Sequence, residues 1–160
     1  MNPRRGWSWV LTGAVVAAVL MTPMLQKGSG EDNGPELREL AVRGACDPVR
    51  DTCLAEEGGA TIQFRVETDP RPLQPFPVMV ALEGVAQGDV LGVLVGFSMA
   101  GMDMGPNRFR LTRDADGHWR GEVTLPICTS GRTDWIARVE AIGSGAVFTA
   151  SFPLALSPAG

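Results

Sequence analysis

The chain predicts an all-β domain, an immunoglobulin-like β-sandwich of about seven strands behind a single N-terminal transmembrane helix. Three observations carry that expectation. An uncharged run extends from Gly6 to Gln26, directly after Arg4 and Arg5. Short stretches of alternating apolar and polar residues recur between residues 60 and 155, with the period of half-buried strands. Turn signals rich in Gly, Asp and Ser separate them.

The centre of the first run, Val10-Leu11-Thr12-Gly13-Ala14-Val15-Val16-Ala17-Ala18-Val19-Leu20, is apolar enough to enter a bilayer, which about 20 such residues span. Trp7 and Trp9 sit near the arginines, where interfacial aromatics are favoured, and the positive charge orients that end toward the cytoplasm. Met21-Thr22-Pro23-Met24-Leu25 is bulky where a signal peptidase needs small side chains. Residues 1–27 are therefore expected to be an uncleaved anchor, with a secretory signal peptide as the rival reading. Either way the remainder faces outward. In a Gram-negative host this is a single-pass inner-membrane protein with its C-terminal domain in the periplasm.

Residues 28–59 are rich in Gly, Glu, Asp and Pro with little periodicity, which reads as a linker carrying a disulfide loop and at most a short helix around Glu36–Arg43. Residues 60–155 are then the sandwich, enough for one domain of about 100 residues. The net charge is −4, and no basic block follows Arg4-Arg5, which argues against a nucleic-acid partner.

The strands follow in order. Ile62, Phe64 and Val66 alternate with Gln63, Arg65 and Glu67. After a connection stiffened by Pro70, Pro72, Pro75 and Pro77, strands are expected over 78–83, 90–97, 107–113, 118–125, 134–142 and 146–152. In the fifth, Trp119, Val123 and Leu125 point inward while Arg120, Glu122 and Thr124 point out. Asp114-Ala115-Asp116-Gly117 closes one hairpin and Gly143-Ser144-Gly145 another.

Functional interest centres on Met99, Met102 and Met104, three of the seven methionines within six positions. Gly101, Gly105 and Pro106 rule out a regular strand or helix there, so the segment reads as a loop presenting thioethers. Thioether sulfur is a soft donor suited to Cu(I). Methionine clusters also fill gaps in cores and interfaces, because the side chain is flexible and polarizable. If consecutive strands pair antiparallel, as they do about two-thirds of the time, the chain returns to the methionine end at Leu125, which brings Cys128 near the loop and leaves His118 at the far end. Of the three cysteines, Cys46 and Cys53 are expected to pair, since disulfides persist outside the cytoplasm. A Cys53–Cys128 pairing is within reach and would remove Cys128 as a ligand. Arg108 and Arg132 flank the loop and suit loop carbonyls or a partner's carboxylate.

Enzymatic chemistry is not expected. The one histidine is not placed to serve Cys128 as a base, no Gly-x-Ser-x-Gly elbow is present, and the cysteines do not form C-x-x-C.

The arrangement Cys46-Asp47 … Cys53, Gly101-Met102-Asp103-Met104-Gly105-Pro106-Asn107-Arg108, Leu125-Pro126-x-Cys128 and Asp134-Trp135 resembles a group of small membrane-anchored proteobacterial proteins associated with Sco-type copper proteins. The plan of helix plus sandwich is similar to FixH-like and YtkA-like proteins. That resemblance implies a Cu(I)-binding accessory role in delivering or buffering copper during cytochrome oxidase assembly, with a Sco-type protein or an oxidase subunit as partner. The ligands would be Met99, Met102 and Met104, with Cys128. The alternative expectation is a metal-free interaction module that uses the methionine loop as an apolar contact surface.

Overall fold

A computed structural model describes residues 34–85, 89–102, 105, 107–128 and 131–156. The chain divides into two units at Gly34/Pro35, and the strands among the described residues lie in the second. These are β1 (Glu36–Val42), β2 (Cys53–Glu57), β3 (Ala60–Val66), β4 (Pro75–Glu83), β5 (Val90–Ser98), β6 (Arg108–Arg113), β7 (Trp119–Thr124), β8 (Asp134–Gly143) and β9 (Ala146–Ala155).

The strands hydrogen-bond in the order β1-β2-β3-β4-β7-β6-β5-β8-β9 and the sheet closes on itself. This corrects the expected immunoglobulin-like sandwich of about seven strands. The seven expected strands are β3 to β9, each within a few residues of its predicted span. The other two come from the stretch read as a linker. Its Glu36–Arg43 segment, read as at most a short helix, is mostly strand β1. β1 runs parallel to β9, with Leu37 opposite Val147 and Leu40 opposite Ala150, and antiparallel to β2. By pairing on both sides it removes the edges a sandwich would leave open. The transmembrane helix expected over 1–27 lies outside the described residues. Among those described, no helix is long and apolar enough to cross a membrane.

Alternation builds the core. Ile62, Phe64 and Val66 of β3, Val78 and Val80 of β4, Val93 and Val95 of β5, and Ala137 and Val139 of β8 fill the interior. Phe152 stacks on Phe64 with ring centroids 5.3 Å apart. Val123 and Leu125 are buried as expected, whereas Trp119 is half-buried. The three prolines in strands sit where a missing N–H costs little, and Pro75 simply opens β4. Pro77 lies just beyond the last β3–β4 pair, Val66 with Val78, where only its carbonyl is used, accepting from the Glu67 amide at 3.0 Å. Pro153 lies beyond Ala150, where pairing to β1 has ended, so its missing N–H removes no bond on that side.

Antiparallel pairing of β5 with β6 and of β6 with β7 sorts the loops between the two barrel ends. The chain leaves β1, β3, β5 and β7 at one end, here the methionine end. The opposite end carries the Asp114 and Ser144 turns and the start of β1, where the Glu36 amide donates to the Gly145 carbonyl at 3.1 Å.

Candidate functional site

Local sequence shapes the methionine turn. Met99 and Met102 form an isolated β-bridge, the Met102 amide donates to the Met99 carbonyl at 3.1 Å, and Gly101 between them takes φ +76°, the left-handed position a tight turn gives to glycine. Met99 is only 3% exposed and belongs to the core. Met102 is half-buried against that core. Met104, with Asp103, lies outside the described residues.

The turn is closed by Asn107. Its Oδ1 accepts from the Phe97 amide at 2.7 Å and its Nδ2 donates to the Phe97 carbonyl at 2.8 Å. The side-chain amide thus copies the next rung of the β5–β6 ladder after Gly96–Arg108. Beneath it, Phe97 meets Phe76 and Phe109 with centroid separations of 5.8 Å and 6.3 Å. The sequence reading missed Asn107, although Asn directly after Gly-Pro at the foot of a strand is a turn-closing signal.

Cys128 lies at the same end, half-buried against the core. The sulfurs of Cys46 and Cys53 are at disulfide distance, 1.90 Å, with Cα atoms 5.7 Å apart, so the competing Cys53–Cys128 pairing is not the one formed. Arg132 connects the two loops. Its Nη1 donates to the Ala100 carbonyl at 3.0 Å, and its Nε donates to Asp134 at 2.9 Å. The Asp134 hydrogen bond and charge raise the Arg132 pKa above the ordinary guanidinium value, and Cys128 adds a smaller contribution in the same direction. Arg108 instead pairs with Glu140 at 3.1 Å.

No protein-family model matches this chain, and no curated protein or solved structure matches it.

Two further features mark this end. Leu73 and Ile127 are 61% and 56% exposed, and Leu73 sits at φ 60°, an uncommon conformation for a branched residue. The Leu73 amide donates to the Leu125 carbonyl at 3.0 Å, which holds the two exposed apolar loops side by side.

At the far end, ligand atoms of Asp114, Asp116 and His118 lie within 4.8 Å of one another. Asp114 is already committed there. Its Oδ1 accepts from the backbone amides of Asp116 at 3.0 Å and His118 at 2.8 Å, and its Oδ2 accepts from Arg120 Nε at 2.9 Å. Partial desolvation pushes the Asp114 carboxyl up, but the Arg120 bond and the two backbone amides outweigh it and hold the group below the usual carboxylate range. These bonds build the hairpin turn.

Proposed function

We propose that this chain is a membrane-anchored, extracytoplasmic accessory protein that binds Cu(I) at the methionine end of its barrel and delivers or buffers it during cytochrome oxidase assembly, with a Sco-type protein or an oxidase subunit as partner. The observation that carries this reading is the Arg132 bond to the Ala100 carbonyl, which ties the Met99–Met102 turn to the segment bearing Cys128. Soft donors from two loops then share one end of a rigid frame, as a Cu(I) site requires. Met99 is closed off from solvent, so of the described donors Met102 and Cys128, both only partly buried, are those through which ligand exchange with a partner would begin. Thioether ligands need no deprotonation, so the binding would depend less on pH than a purely thiolate site.

A competitive Cu(I) titration of the disulfide-intact protein against a chromophoric chelator tests it. Stoichiometric binding is expected, and Met102→Ile combined with Cys128→Ser should abolish it. Binding no greater than that of this double variant would end the copper reading.

The exposure of Leu73 and Ile127 at the same end favours the second reading, a metal-free interaction module. It differs from the first in its dependence. Leu73→Ser with Ile127→Ser should abolish partner capture under that reading, while the Met102 and Cys128 substitutions should leave it intact.

A further inference from the structure

Beside the methionine turn, on the outer wall of the barrel, lies a constellation that the copper reading does not use. Gly96 and Ser98 of β5, Asn107 and Arg108 at the start of β6, and Arg138 and Glu140 of β8 line a cleft of about 310 Å³. Strand alternation creates it. Val93, Val95 and Phe97 point into the core, so Gly96 and Ser98 face out, and Gly96 pairs with Arg108 on one side and Arg138 on the other. Two arginines therefore flank a position with no side chain. A Cβ at Gly96 would stand 3.1 Å from the Asn107 carbonyl oxygen and 3.5 Å from Arg108 Cγ. Glycine is what leaves the floor open and lets the arginine stem lie across the strand.

The charges in the cleft do not balance. Arg108 Nη2 and Arg138 Nε approach the same oxygen, Glu140 Oε1, at 3.1 Å and 3.5 Å. One carboxylate faces two guanidinium groups, each with five N–H donors in a planar fork. The Arg108 and Arg138 side chains are 63% and 43% exposed, against 14% for Glu140. The anion lies beneath and the cations stand at the mouth. One row further along this face Arg110 lies over Gly92, outside the lining of the cleft. The walls are fixed, because Asn107 is clamped to the Phe97 backbone.

We propose that this cleft binds a carboxylate of single negative charge. The guanidinium fork matches a carboxylate in a bidentate manner. One added negative charge neutralises two arginines that share one glutamate, whereas a phosphate dianion would overshoot and meet Glu140. The carboxylate comes either from a free small acid or from an acidic side chain of a protein docked at the methionine end. The inference stands apart from the copper reading, and its test contains no metal.

Sodium N-acetylglycinate is titrated into the isotopically labelled protein, and the backbone amide resonances of Gly96, Ser98 and Asn107 are followed. These are expected to move together and saturate, while neutral N-acetylglycinamide leaves them still. Arg138→Met should weaken binding about 10-fold or more, the effect of losing a hydrogen bond to a charged group. Ser98→Phe, which fills the cleft and leaves both arginines in place, should weaken it similarly, and Arg65→Met, on the outer face of β3, should not. Stronger binding of a blocked single-aspartate peptide than of N-acetylglycinate assigns the site to a protein partner, and the reverse order to a small acid. Absent shifts, shifts that persist in both cleft variants, or tighter binding of inorganic phosphate would overturn the proposal.

Discussion

Asn107 shows how much one side chain does at the methionine end. It satisfies both the N–H and the C=O of Phe97, which would otherwise be left without their ladder partners. Asn107→Ala is expected to cost about 1–3 kcal/mol, the penalty for stranding such groups. Urea denaturation gives the loss, and faster hydrogen exchange at the Phe97 amide locates it. Gly84 makes a sharper case. It has φ +65°, and an added Cβ would lie 1.8 Å from the Gly59 carbonyl oxygen, so Gly84→Ala must move backbone as well as strain it. Gly101, at φ +76° with open space around it, carries only the conformational cost. Gly101→Ala should lose about 1–2 kcal/mol and Gly84→Ala clearly more, measured in the same denaturant series.

Protonation acts at this scale too. Asp134 is held below the ordinary aspartate value by the hydrogen bond from Arg132, against a smaller opposing desolvation. A depressed carboxyl contributes its stability above its unfolded value and loses it as pH falls through the folded one. The Asp134 carboxyl carbon should therefore titrate at lower pH in the native protein than in Arg132→Ala. A midpoint unchanged by that substitution would mean that the ion pair does not form in solution.

At the level of elements, β1 and β2 are the strands that local reading passed over. In β1 only Leu40 is buried, and Glu36, Leu37, Arg38 and Glu39 are exposed, so no alternation signals a strand. Its Glu, Leu, Arg and Ala are also good helix formers. What makes it a strand is the pair of neighbours, β9 and β2, whose edges it satisfies. The following loop is pinned by Cys46–Cys53, with a sequence separation of 7. Closing so short a loop is worth about 2–3 kcal/mol by the chain-entropy estimate. Reduction should lower the unfolding free energy by that amount, and hydrogen exchange should rise first in β1 and β2. Equal protection with and without reductant would show that the loop does not support these strands.

For the whole molecule, closure joins the first strand to the last. Among the described residues every strand has a neighbour on both sides, and an edge so removed cannot template association with another chain. A variant lacking residues 1–43 would expose the β9 edge and one side of β2. It is expected to associate in gel filtration where the protein with β1 does not, and a monomeric, fully folded truncation would show closure to be dispensable. The same closure fixes the site. The β5–β6 and β7–β8 connections leave the barrel at one end and the β6–β7 turn at the other, so the methionine turn meets Arg132 and the Cys128 segment while His118 remains remote.

Much of this was legible in local pattern. The alternation of Ile62, Phe64 and Val66, the Asp114 and Gly143 turns, and the order of β5, β6 and β7 are written within windows of a few residues, because burial on one face imposes a period of two. From that order alone follow the shared end of Met99, Met102 and Cys128 and the remote place of His118. The Cys46–Cys53 pairing followed from proximity along the chain. The cleft between Arg108 and Arg138 was not legible, since it needs the register that sets both opposite Gly96. Nor was the burial of Met99, which depends on what covers the barrel end. Barrel or sandwich was likewise decided at long range. The residues of β1 are nearly neutral between helix, coil and strand, and the free energy that selects among them comes from hydrogen bonds to β9, more than 100 residues away in sequence, which no local window contains.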